Sequence, residues 1–216
     1  MARRIREIQG PAGRLEALVE QPVLEGDRAV RAAVVFAHPL PTEGGTMHTK
    51  VVFRATKALA SLGCAVMRFN FRGVGASEGE WDEGPGELAD YRAALDAMAS
   101  LYPQTELWAA GFSFGSYVAL TVGATDDRVR LLLGIALPVD RYDFSAVRTS
   151  TKPKFLIQAE RDEICPLKRA YEFYGQLSEP KELVVIDGAD HLFDGKVSEA
   201  ADAIVDLMAD YKTPTH

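Results

Sequence analysis

The sequence predicts a three-layer α/β sandwich, a mostly parallel sheet of about eight strands with helices on both faces. Three observations carry that expectation. Six short runs are apolar at nearly every position, as strands buried on both faces must be. Segments whose apolar residues recur every three or four positions alternate with them. No repeat, low-complexity tract or charge block divides the chain, so residues 1–216 read as a single domain.

Taken in order, Ile5 to Gln9 and the alternating Leu15, Ala17 and Val19 form a hairpin around a Gly10-Pro-Ala-Gly13 turn. The buried strands follow at Ala32–Ala37, Cys64–Phe71, Glu106–Ala110, Leu131–Leu137, Lys154–Ala159 and Glu182–Ile186. Helical stripes lie between and after them. One joins Val51, Val52, Ala55, Ala58, Leu59 and Leu62; a second joins Leu88, Tyr91, Leu95, Met98 and Leu101, stopped by Pro103. The third, Val197, Ala200, Ala201, Ile204, Leu207, Met208 and Tyr211, is the clearest amphipathic pattern in the chain. Parallel sheets place ligands at the carboxyl ends of their strands, so chemistry is sought in the loops there.

Composition narrows the function. A chain with 47% hydrophobic and 25% charged residues buries enough surface to fold. Its 24 basic against 31 acidic residues give a net charge of −7, which argues against a nucleic-acid partner. Two cysteines, Cys64 and Cys165, make neither a disulfide framework nor a metal motif. The N-terminus lacks a signal peptide's apolar stretch, and no run approaches eighteen apolar residues. The expectation is a cytoplasmic protein with no membrane partner, no metal and no cofactor.

The chemistry is concentrated in three loops. Gly111-Phe-Ser113-Phe-Gly115 is a G-x-S-x-G motif with a strand before it and a helix after it. A serine on so tight a turn is strained, and glycine two residues to either side relieves the crowding. The turn also puts the Phe114 N–H at a helix start, where it can meet a developing oxyanion. The bland alternative is that Ser113 merely caps the helix.

A nucleophilic serine needs a base, and the chain has four histidines. His216 ends the chain, and His38 and His48 precede the motif. His191, in the small-residue loop after the last strand, lies at the right edge of the sheet. The imidazole needs an orienting acid from another strand end. Glu160-Arg-Asp162-Glu163 follows the strand Lys154–Ala159; Asp162 is the choice and Glu163 the alternative.

The order Ser113, Asp162, His191, the elbow glycines, the His38-Pro39-Leu40 turn after a buried strand and the segment Arg68-Phe-Asn-Phe-Arg72-Gly73-Val-Gly75 together resemble the α/β-hydrolase family. The likeness runs from about Ala32 to Tyr211. It implies an α/β-hydrolase fold, Leu40 N–H as a second oxyanion donor beside Phe114, and a structural His38. The same Gly73-Val-Gly75 segment fails as a dinucleotide fingerprint, because Glu78 occupies the third glycine position.

Lidded members of this fold insert a cap domain between their sixth and seventh strands. Here only residues 138–153 are available, room for a short turn of helix, so the site is expected to be open. Tyr142 and Phe144 fall in that segment as candidate substrate walls, with packing beneath the loop as the alternative. Trp81 and the flexible-looking Gly79–Gly86 stretch are candidates for the opposite rim. The functional expectation is a serine hydrolase acting on small carboxylic esters through Ser113, His191 and Asp162. A peptidase or thioesterase on the same triad is the nearest alternative, and a non-catalytic small-molecule binder the more distant one.

Overall fold

The run Ala33–Ala37 is buried at every position and forms β3 at the centre of the sheet, as its lack of alternation requires. The computed structural model describes residues 6–24, 26, 29–209 and 211, so Ile5 and His216 lie outside the described residues. Around β3 the other strands are β1 (Glu7–Gly10), β2 (Gly13–Glu20), β4 (Ala65–Phe69), β5 (Leu107–Phe112), β6 (Val129–Ile135), β7 (Lys154–Ala159) and β8 (Lys181–Ile186). They make one eight-stranded sheet ordered β1-β2-β4-β3-β5-β6-β7-β8. From β4 onward neighbours are parallel; β2 runs antiparallel to both β1 and β4.

Among the described residues six α-helices connect and cover the strands: α1 (Lys50–Ser61), α2 (Pro85–Leu101), α3 (Phe114–Thr125), α4 (Ser145–Thr149), α5 (Leu167–Gln176) and α6 (Val197–Ala209). One core packs α2 and α3 against one face of the sheet, and the other packs α1 and α6 against the opposite face. Alternate residues of β3 serve each: Ala33, Val35 and Ala37 face the first core, Val34 and Phe36 the second. Tyr91 of α2 inserts beneath the sheet, where its hydroxyl donates to the Val35 carbonyl at 2.8 Å and accepts the Ala110 N–H at 3.1 Å. It thereby pins the neighbouring strands β3 and β5.

The Gly79–Gly86 stretch is held rather than loose. Glu87, fully buried, accepts the Asp82 and Gly84 N–H groups at 3.0 and 2.7 Å and so closes the start of α2. Arg72 clamps the same corner, donating through Nε and Nη2 to the buried Asp90 at 3.0 and 2.8 Å. Between β6 and β7 the chain makes only the five-residue α4, and no cap domain is present there. Among the described residues no helix is long and apolar enough to cross a membrane.

Candidate active site

Ser113 stands alone between β5 and α3, with φ 53° and ψ −123°. A left-handed backbone is costly for a residue with a side chain, and it survives because strand and helix fix both ends. The flanking glycines are sterically required. A Cβ at Gly111 would collide with the Gly115 carbonyl, and one at Gly115 with the carbonyls of Ala37 and His38. The G-x-S-x-G spacing is therefore the sequence signature of a turn pressed against the end of β3.

The imidazole of His191, delivered by the loop after β8, lies with Nε2 at 2.8 Å from Ser113 Oγ. Its Nδ1 is 2.9 Å from both oxygens of Asp162, in the loop after β7. A carboxylate only accepts, so Nδ1 carries the proton and donates to it; Nε2 is then free to accept from the Ser113 hydroxyl. Serine and histidine are each 7% exposed and Asp162 is 4% exposed, so water has little access to these bonds. The Phe112 ring stacks on His191 at 5.6 Å and 29° and fixes its plane.

Asp162 is held by three further donors. The Ile164 and Cys165 N–H groups reach Oδ1 at 2.9 and 2.8 Å, and Gln158 Nε2 reaches Oδ2 at 2.9 Å. This is why Asp162 and not Glu163 meets the histidine: the turn's amides converge on the shorter acid, while Glu163 lines the open cleft. Glu160 turns away to accept the Gly188 N–H at 2.7 Å. Gln158 is a residue that sequence reasoning missed. Its signal was a polar side chain following the apolar run Phe155–Ile157 inside the fully buried β7. Burial pushes the Cys165 thiol up to about 11, and only its backbone takes part in the site.

His38 does different work. Its Nδ1–H donates to the Pro39 carbonyl at 2.7 Å and its Nε2 accepts the Phe71 N–H at 3.1 Å, so both ring nitrogens are committed to backbone. It ties the Pro39-Leu40 turn to the end of β4, and complete burial lowers its pKa to about 4. The Leu40 carbonyl accepts the N–H groups of Glu43 and Gly45 at 3.2 and 3.0 Å, which closes the turn. The Leu40 and Phe114 N–H groups have no acceptor among the described residues, and both residues line the cleft over Ser113.

That cleft encloses about 260 Å³ and is walled by Leu40, Phe114, Pro138, Tyr142, Ile164 and Leu192, with Glu43, Arg141 and Glu163 at its charged positions. Tyr142 is a wall of the cleft, and its ring stacks on Tyr117 at 4.5 Å. Phe144 is not. It is 1% exposed and packs edge-on against Tyr117 and Phe173, because α4 turns that side chain into the core. Trp81 likewise packs against the Phe114 ring at 5.1 Å and does not line the cleft. Among the described residues no cluster of three or more His, Cys, Asp or Glu is placed to hold a metal.

A sheet in this strand order, with a serine elbow after its fifth strand and the Ser113–His191–Asp162 chain at its carboxyl edge, defines an α/β-hydrolase. Within that class the chain belongs to the serine aminopeptidase S33 family, whose pattern it matches over residues 28–137. The matched segment contains the Leu40 turn and Ser113 but ends before Asp162 and His191. The chain is 38% identical to an α/β serine hydrolase homologue from Coxiella burnetii, with a TM-score of 0.89 over 96% of this chain and 98% of that one. It is also 38% identical to a protein from Xanthomonas campestris described as an α/β serine hydrolase without lid, with a TM-score of 0.87 over 97% and 95% of the two chains. An uncharacterized protein of Rickettsia prowazekii is 34% identical over 96% of this chain and 89% of its own length. By family and fold the protein is an α/β serine hydrolase.

Proposed function

We propose that the protein hydrolyses small carboxylic esters through an acyl-enzyme on Ser113. The observation that carries this reading is the unbroken hydrogen-bond chain from Asp162 through His191 to Ser113, opening on a cleft with no cap domain over it. His191 Nε2 takes the hydroxyl proton as Ser113 Oγ attacks the ester carbonyl. Asp162 holds the resulting imidazolium. The Leu40 and Phe114 N–H groups receive the tetrahedral oxyanion, and the alcohol leaves with the proton from His191. Water, deprotonated by the same histidine, then releases the acid and restores the serine.

Two features support a small-ester substrate. A cleft of about 260 Å³ suits a short acyl group more than a long chain. Its walls are apolar near Ser113, through Leu40, Phe114, Pro138 and Ile164. A second reading, hydrolysis of an aminoacyl amide, draws support from the family match and from the carboxylates Glu43 and Glu163 beside the cleft, which offer a counter-charge to an ammonium group. A reducing, cytoplasmic setting fits the two buried free thiols, Cys64 and Cys165. The test is a panel of acetyl, butyryl and hexadecanoyl p-nitrophenyl esters, thioesters and aminoacyl amides, run on wild type and Ser113→Ala. The short esters are expected to give the highest kcat/KM, and the variant none of it. A strong preference for hexadecanoyl esters, or turnover of amides alone, overturns the ester reading.

A further inference from the structure

On the face of the sheet opposite α2 and α3, the beginnings of α1 and α6 meet beside a groove of about 440 Å³. Its walls are His48, Lys50, Phe53 and Arg54 on one side and Gly195, Val197 and Ser198 on the other, and no acidic side chain lines it. That is an unusual concentration of positive charge in a chain of net charge −7.

The charges are also placed where the fold alone disfavours them. The start of a helix carries the positive end of its dipole and leaves its first N–H groups without partners. The first turn of α1 holds no acid and no side-chain cap, and it begins with Lys50, followed one turn later by Arg54. No carboxylate lies within ion-pair distance of either cation among the described residues. Asp202 of α6 lines the next groove along with Arg54 but does not pair with it, and Glu199 is taken by Lys196 at 2.7 Å.

A third cation stands behind the groove. Arg68 is only 7% exposed, its Nε has no hydrogen-bond partner, and its guanidinium lies against two of the groove's walls, over the Phe53 ring at 5.3 Å and at 3.4 Å from His48 Nδ1. Glu20, the carboxylate whose field reaches Arg68, pairs instead with Lys57 at 2.8 Å. A buried cation without its own counter-ion is destabilising. Two helix starts, an ammonium, a guanidinium and the Ser198 hydroxyl thus surround one groove from several directions, as a tetrahedral anion with many acceptors requires.

We propose that the groove between the starts of α1 and α6 is a binding site for a phosphate-type oxyanion, either free phosphate or the phosphate group of a small monoester. The site is separate from Ser113 and independent of the ester reading. Its two walls nevertheless follow, along the chain, the Leu40 turn and the His191 loop.

Thermal melts of the full chain test it, with sodium phosphate, glycerol 2-phosphate and sodium chloride compared at matched ionic strength. For wild type, a saturable rise in Tm is expected in at least one phosphate arm and not in chloride. A rise with both phosphates means the free anion suffices, and a rise with glycerol 2-phosphate alone identifies a monoester site. The doubly substituted Lys50→Glu, Arg54→Ala protein is expected to lose the phosphate response. In chloride it should melt at or above the wild-type temperature, because the helix start is relieved of its repulsion. Lys168→Ala, at an exposed position of α5, should respond as wild type does. Equal shifts in phosphate and chloride, no shift in either phosphate, or a full response in the double variant would overturn the proposal. Should the double variant fail to fold, calorimetric titration of wild type decides the matter: saturable heat with either phosphate supports the site, and its absence with both overturns it.

Discussion

His38 and His191 are both buried, both follow a strand at the carboxyl edge of the same sheet, and both use both ring nitrogens. They differ in what those nitrogens touch. His38 bonds only to backbone, and its burial without a carboxylate holds it neutral, with a pKa of about 4. His191 bonds a carboxylate on one side and a hydroxyl on the other, so a proton taken at Nε2 is compensated at Nδ1. The same side chain is a strut in one loop and, in the proposed mechanism, a base in the other. Partners decide which, and neither burial nor position along the chain does.

The largest expected effect is on the His191 side of that comparison. Ser113→Ala should lower kcat for esters by about 10⁴- to 10⁶-fold, with Tm at or slightly above that of wild type, because the left-handed elbow is a strain the fold sustains for function. Asp162→Asn should cost about 10⁴-fold in kcat, since an amide favours the wrong tautomer of His191. Glu163→Gln should leave ester turnover within a few-fold, and a large loss there would shift the orienting role to Glu163.

The next effect probes the turn that His38 supports. Leu40 has φ −51°, which suits proline, so Leu40→Pro removes the N–H with little change of backbone. Ester kcat should fall by about 10²- to 10³-fold, the typical cost of one oxyanion donor. An unchanged kcat would remove Leu40 from the mechanism.

The smallest effect on chemistry, and a distinct one on stability, belongs to His38 itself. Its folded pKa lies below the unfolded value of 6.5, so the unfolded chain binds the extra proton between those values. The stability it contributes is present above pH 6.5 and is lost as pH falls toward 4, by on the order of 3 kcal/mol. Urea denaturation across that window should show the loss in wild type and a flatter profile in His38→Asn. Equal slopes would mean that other groups carry the pH dependence.

Much of this was legible in the sequence, and for identifiable reasons. A strand buried on both faces reads as an apolar run, so Lys154–Ala159 emerged with its observed bounds and the other strands of the parallel part within about two residues. The elbow was legible because Gly111 and Gly115 answer a steric demand that no other residue meets. Less was visible where long-range packing decides. α5 buries only Ala170 and Phe173, too short a stripe to announce a helix. The antiparallel pairing of β2 with β4 and the Arg72–Asp90 pair join residues whose proximity no local pattern encodes. Phe144 and Tyr142 show the same limit at the site, two aromatic residues in one short segment with only one facing the cleft.

The central claim is that Ser113, activated by His191 and not by His38, is the nucleophile. Mass spectrometry after reaction with a fluorophosphonate probe tests it most directly. A single adduct on the Ser113 peptide is expected in wild type, none in Ser113→Ala, and greatly slowed labelling in His191→Ala but not in His38→Asn. Labelling at another residue, or undiminished labelling without His191, would contradict the account.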